Sequence, residues 1–264
     1  MCRLFGFRAT RPDHVARLLL DSPSSLSTLS REHQHGWGIG YYRDADTVVH
    51  KGVDPAHADP EFERVARQIE GSCVLAHVRR RSVGEFGLAN NHPFRYGRLL
   101  FAHNGTVREY ERLRLQIEGA IKPRFASGLE GTTDSERCFL LFLGHLDDMG
   151  ALDQPRLEDL ATALARTVSQ LRALPAPAAE PHLLTFLVTD GVSMAAVRAG
   201  EKELWVAREH AEDGSGLDRL YLASEPLSRE DDWEPIADDR IVGIGASMRL
   251  RSWTLSGPLA KPLG

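Results

Sequence analysis

The sequence predicts an α+β fold built mainly from antiparallel sheets. Three observations predict it. Short apolar runs with strand character recur up to residue 102, two amphipathic helices occupy residues 137–146 and 156–171, and six short strand-like runs follow residue 182. Strands on both sides of a two-helix middle point to this class.

In chain order, residues 2–8 read as a strand with Cys2 at its start, and residues 13–20 have helical spacing with Asp13 as a candidate N-cap. Residues 21–30, rich in Ser and containing Pro23, read as a loop. In residues 33–42 Gly36, Gly38 and Gly40 alternate with large side chains, giving a strand whose bare faces admit a close neighbour. Residues 48–51 pair with it as a hairpin. Residues 60–70 place Phe62, Val65, Ala66 and Ile69 on one helical face. Residues 73–78 form a buried strand that runs into Arg79-Arg80-Arg81-Ser82 and a loop closed by His92-Pro93-Phe94. Residues 98–102 form another strand, ending at His103-Asn104-Gly105-Thr106, where Asn-Gly is a turn signal. Residues 109–118 are helical, 122–131 are a loop, and Thr132-Thr133-Asp134-Ser135-Glu136 starts a helix. Residues 174–181 are the only linker-like stretch; they join a helical layer to a second sheet, so residues 1–264 read as one domain.

Composition excludes several classes of function. The formal net charge is −5 and the cations are scattered, so nucleic acid is not an expected partner; Arg79-Arg80-Arg81 is too short a run to argue for it. No stretch is long and apolar enough for a membrane span, and no secretory leader is expected. Three cysteines do not form a disulfide framework, and a reducing cytoplasmic location is the expectation. Cys73 and Cys138 sit in apolar contexts as packing residues. No metal site is expected, because the histidines lack helical or Cys-x-x-Cys ligand spacing.

Cys2 becomes the first residue if Met1 is removed, carrying a thiol and a free α-amine. The thiolate is a nucleophile, and an α-amine with a pKa of about 8 is a base near neutral pH. By itself Cys2 also fits a buried first strand. Such a nucleophile needs an oxyanion hole and a clamp for its substrate. The Asn104 amide and the Gly105 N–H could supply two oxyanion donors, or the pair could be a hairpin turn. Arg79, just past a buried strand, could hold a carboxylate in a bidentate pair. Asp134 could take an ammonium group or cap a helix, and the two roles are compatible if one oxygen serves each.

Six stretches occur together in order: Cys2-Arg3-Leu4-Phe5-Gly6, His35-Gly36-Trp37-Gly38, Ala76-His77-Val78-Arg79, Asn90-Asn91-His92-Pro93-Phe94, Ala102-His103-Asn104-Gly105 and Thr133-Asp134-Ser135-Glu136. Together they resemble the class II glutamine amidotransferases, a family of N-terminal nucleophile hydrolases. The run Ala223-Ser224-Glu225-Pro226-Leu227 with Trp233 is similar to the stand-alone members. The resemblance implies a four-layer αββα sandwich and no cofactor. It implies Cys2 as nucleophile with its α-amine as base, and Asn104 and Gly105 as oxyanion hole. Arg79, with Ser82, would bind the substrate α-carboxylate and Asp134 the α-ammonium, with His103 in the same substrate-binding set. Two positions depart from the family pattern: His35 stands where Asp is common before Gly-Trp-Gly, and Arg80 stands where an aromatic is common in synthase-fused relatives. The implied substrate is glutamine or a larger γ-glutamyl amide. Three versions stay open: a glutaminase feeding ammonia to a separate synthase, a free-standing amidohydrolase like relatives in ergothioneine biosynthesis and glutathione breakdown, or an inactive binding module.

Overall fold

The computed structural model describes residues 2–44, 46–177, 179–214, 216–229 and 231–255. The chain begins with β1 (Arg3–His14), a single π-type turn (Arg17–Asp21), α1 (Leu26–Leu29), β2 (Trp37–Arg43), β3 (Asp46–Gly52), α2 (Pro60–Gln68) and β4 (Glu70–Val78). It continues through β5 (Phe94–Tyr96), β6 (Leu99–Thr106), α3 (Tyr110–Ala120), α4 (Pro123–Ala126), α5 (Asp134–Asp148) and α6 (Leu157–Arg172). The remaining strands are β7 (Leu183–Thr189), β8 (Met194–Arg198), β9 (Trp205–His210), β10 (Leu217–Ala223), β11 (Trp233–Pro235), β12 (Arg240–Ile244) and β13 (Leu250–Thr254). They form two sheets, β11-β9-β10-β1-β4-β2-β3 and β13-β12-β8-β7-β6-β5, antiparallel at every pairing described.

The period-2 alternation of the strands builds four layers. Leu4 of β1, Cys73 and Leu75 of β4, Leu100 and Ala102 of β6 and Leu187 of β7 share one core between the sheets. Their neighbours point the other way. Phe5, Phe7, Val74 and Ala76 pack under Leu18, Leu19, Leu26, Phe62 and Val65. Leu99, Phe101, Phe186 and Val188 pack against Phe139, Phe142, Leu160 and Leu164 of α5 and α6. The sheets close tightly where side chains are absent: a Cβ on Gly6 would lie 2.7 Å from Leu187 Cδ1 and 2.9 Å from Met194 Sδ.

Several elements differ from expectation. Residues 13–20 form no α-helix. β1 runs on to His14 after a bulge, because Asp13 is claimed across the sheet by Arg219 Nε at 2.6 Å instead of capping a helix. Asn104-Gly105 is not a turn: Asn104 pairs with Thr185 and Gly105 with Leu184 inside β6. The 122–131 segment contains the short α4, and β11 adds an edge strand beside β9. Asp134 is the first helical residue rather than the cap, since Thr133 accepts from Glu136 N at 3.3 Å.

Candidate active site

Antiparallel pairing brings distant segments to one end of the sandwich. Arg3 lies opposite Val78 and Phe5 opposite Ala223, so the start of β1 meets the ends of β4 and β10. Asn104 is in phase with Leu100 and Ala102, so its side chain enters the layer between the sheets. There it meets the start of β1 through Ser224, whose Oγ accepts from Leu4 N at 2.9 Å and from Asn104 Nδ2 at 3.1 Å. Gly105 has no space for a side chain, because a Cβ would run into the Leu183 carbonyl.

Cys2 is half-buried, with a free thiol. Its Sγ donates to Arg80 O at 3.4 Å and accepts from Arg80 N at 3.3 Å. Burial pushes the thiol pKa up, the Arg80 N–H and the Arg79 charge pull it down, and Asp134 raises it. Both charged groups therefore act on the sulfur. Met1 lies outside the described residues, so its removal remains an expectation.

Arg79 is only 3 % exposed. Its guanidinium donates to Val83 O and Glu85 O, each at 3.0 Å, and so holds the loop that follows β4. Burial lowers its pKa, while Cys2 and Asp134 favour its charged form. Asp134, also 3 % exposed, accepts from Val107 N at 2.7 Å through Oδ2 and from Ser135 N at 2.8 Å through Oδ1. Two backbone N–H groups thus hold the carboxylate at the start of α5, with lone pairs left over for a cation. Ser82 Oγ and Thr106 Oγ1 lie 3.2 Å apart, and both line an open cleft of about 600 Å³ with Val83, Gly84 and Val107.

His103 is placed differently from the rest of the expected set. It is 1 % exposed, with Nε2 2.9 Å from Leu183 O and Nδ1 2.9 Å from Ser135 Oγ. A carbonyl only accepts, so Nε2 carries the proton. Burial lowers the ring's pKa, and in the neutral ring Nδ1 accepts from the Ser135 hydroxyl. With both nitrogens occupied, His103 ties the Leu183 carbonyl of β7 to Ser135 at the start of α5 and has no ring nitrogen left for a substrate. Strand parity carried the signal: residues 103 and 104 must face opposite sides of β6. His35, in the position where Asp is common, accepts from Arg81 N at 2.7 Å through Nδ1 and packs edge-on to Phe86. Burial and the neighbouring Arg81 lower its pKa, which keeps that nitrogen an acceptor.

Behind the site lie three buried histidines, His33, His77 and His92, whose ring nitrogens have no protein partner among the described residues. Burial, then the Arg3 and Arg80 charges, lower His33 from 6.5 to about 3, and burial drives His77 and His92 well down. The unfolded chain takes up these protons below about pH 6.5 while the folded one does not, so stability is level above that pH and falls as pH drops toward 3. Urea midpoints should decline from about pH 7 to about pH 5, where most carboxylates are still ionised, and His33→Asn should flatten the slope. A midpoint unchanged across that interval would contradict this account.

The arrangement of strands and layers is shared with known proteins. The chain belongs to the class-II glutamine amidotransferases: the family model of that description matches residues 1–215. The probable glutamine amidotransferase DUG3 of Saccharomyces cerevisiae is 29 % identical over 293 residues, covering 92 % of this chain and 82 % of the yeast protein. The γ-glutamyl-hercynylcysteine sulfoxide hydrolase of Mycolicibacterium smegmatis is 28 % identical over 257 residues, covering 92 % of this chain and 96 % of that protein. Among solved structures, a glutamine aminotransferase class-II domain protein from Silicibacter pomeroyi aligns with a TM-score of 0.67 at 24 % identity, covering 96 % of this chain and 99 % of the other. The glutamine phosphoribosylpyrophosphate amidotransferase of Bacillus subtilis also aligns with a TM-score of 0.67, at 18 % identity, covering 97 % of this chain and 50 % of that one. The fold is thus the four-layer sandwich of the N-terminal nucleophile amidotransferases.

Proposed function

We propose that the protein hydrolyses a γ-glutamyl amide through Cys2. The observation that carries this reading is that the Cys2 sulfur bonds the backbone of Arg80, the residue after the buried guanidinium of Arg79, while the buried carboxylate of Asp134 lies within electrostatic reach of the same sulfur. That pair matches the carboxylate and ammonium of an amino-acid end, and a side-chain amide of the same molecule then reaches toward the thiol.

After loss of Met1, the Cys2 α-amine takes the thiol proton and the thiolate attacks the amide carbon. The oxyanion forms against Asn104 Nδ2 and the Gly105 N–H. On collapse the C–N bond breaks, and the leaving amine takes the proton from the α-ammonium. A γ-glutamyl thioester remains. Water attacks it, giving up a proton to the α-amine, and the departing thiolate recovers that proton as glutamate is released. Arg79 and Ser82 hold the α-carboxylate and Asp134 the α-ammonium throughout.

The name and near-complete overlap of the mycolicibacterial hydrolase support a free-standing amidohydrolase that acts on a conjugate larger than glutamine. Incubation with glutamine and a panel of γ-glutamyl amides, with assay of free glutamate, tests this. Release from the bulkier amides supports the amidohydrolase. Release from glutamine alone points to an ammonia supplier for a separate synthase. Release from none would leave an inactive binding module and overturn the proposal.

A further inference from the structure

We infer that Ser224 is a positioning residue for the oxyanion hole, fixing the Asn104 amide against the strand that bears the nucleophile; this rests on the amidohydrolase reading above. Ser224 follows the last residue of β10, where the chain leaves the sheet. Its backbone N–H still donates to Leu4 O at 3.1 Å, continuing the ladder with β1. Its side chain then replaces the missing main-chain acceptor, taking Leu4 N at 2.9 Å. The second lone pair of the same oxygen takes Asn104 Nδ2 at 3.1 Å. One hydroxyl thus ties together segments 120 and 220 residues away in sequence. Glu225 adds a second tie beside it, accepting from Arg3 Nε at 2.6 Å.

The proton count shows what this does. An amide nitrogen has two hydrogens. Ser224 occupies one, which leaves the other for a developing oxyanion and sets the plane in which it points. Asn104 Oδ1 has no partner among the described residues, so no bond from that oxygen sets the amide's orientation. Without the Ser224 hydroxyl, the amide can turn over and present its oxygen to the anion, which repels it. A donor that points wrongly loses most of what a preorganised donor contributes.

The test is turnover of the most rapidly cleaved γ-glutamyl amide by wild type, Ser224→Ala, Ser224→Thr, Asn104→Ala and the Ser224→Ala/Asn104→Ala double variant. Ser224→Ala should lower kcat about 10- to 100-fold with KM nearly unchanged, and Ser224→Thr, which keeps the hydroxyl, should restore it. In the Asn104→Ala background the same change should cost less than about twofold, because Ser224 acts through that amide. Alkylation of Cys2 by iodoacetamide, a displacement that forms no oxyanion, should proceed at the wild-type rate in Ser224→Ala. An equal loss in both backgrounds, or slowed alkylation, would overturn the inference and assign Ser224 to the β1 strand alone. Absence of glutamate release from wild type would instead overturn the amidohydrolase reading, and this inference with it.

Discussion

Cys2→Ala should abolish glutamate release, by at least about four orders of magnitude, and leave the fold in place. Without sulfur there is no thioester, and the only remaining route is direct attack by water on an unactivated amide. The oxyanion donors and the charged clamp would still bind substrate, so the variant should retain KD-level affinity for a γ-glutamyl amide while failing to turn it over. Stability should change by no more than about 0.5 kcal/mol, since the side chain lies outside β1 and, among the described residues, its sulfur hydrogen-bonds only to the Arg80 backbone, at 3.3 and 3.4 Å. Burial raises the thiol's pKa, so at neutral pH the sulfur depends on a base to release its proton. The α-amine is that base only when Cys2 is the first residue. Intact-mass measurement of active protein should therefore show loss of Met1, and fully active protein that keeps Met1 would remove the α-amine from the mechanism. Undiminished release by Cys2→Ala would remove the thiol as well.

Much of the architecture was legible because strand parity is a local property. Neighbours such as Leu4 and Phe5 or Leu100 and Phe101 must face opposite sides of their strands, and the structure sends them into different cores. The glycines of β2 announced a close neighbour, and a Cβ on Gly38 would run into the His92 carbonyl. Local signals failed where a distant partner outweighed them. Asn-Gly is a turn pair in isolation, yet β7, some eighty residues later, captures both residues in its ladder. Asp13 has the chemistry of a helix cap, yet Arg219 draws it into a cross-strand pair. The same distance hid Ser224, whose bonds to Leu4 and Asn104 depend on three strand ends meeting. His103 belongs to the expected motif but faces the opposite side of β6 from Asn104, where Leu183 O and Ser135 Oγ engage both of its ring nitrogens.

The substrate's amino group is where the second large effect is expected. Asp134→Asn should raise KM for a γ-glutamyl amide about 100-fold or more and lower stability by roughly 1–3 kcal/mol. Both effects follow from one count of lone pairs. The carboxylate accepts from Val107 N through one oxygen and from Ser135 N through the other. An asparagine has a single acceptor oxygen, so its amide nitrogen must face one of those two N–H groups, donor against donor. The buried N–H left over finds no water to replace the carboxylate, because the site is 3 % exposed. The charge that would meet the substrate ammonium disappears at the same time. The two consequences can be separated by substrate chemistry. A glutaric acid monoamide has the same reacting amide and the same carboxylate but no α-amino group. Wild type should discriminate strongly against it, and Asp134→Asn should process both compounds with nearly equal, low efficiency. If the variant kept the wild-type preference for the amino-bearing substrate, Asp134 would be a structural anchor for Val107 alone, and another group would have to hold the ammonium. Glu136, the next acid on α5, is already engaged with the backbone N–H groups of Glu130 and Gly131 and with Arg137, so it offers no ready replacement.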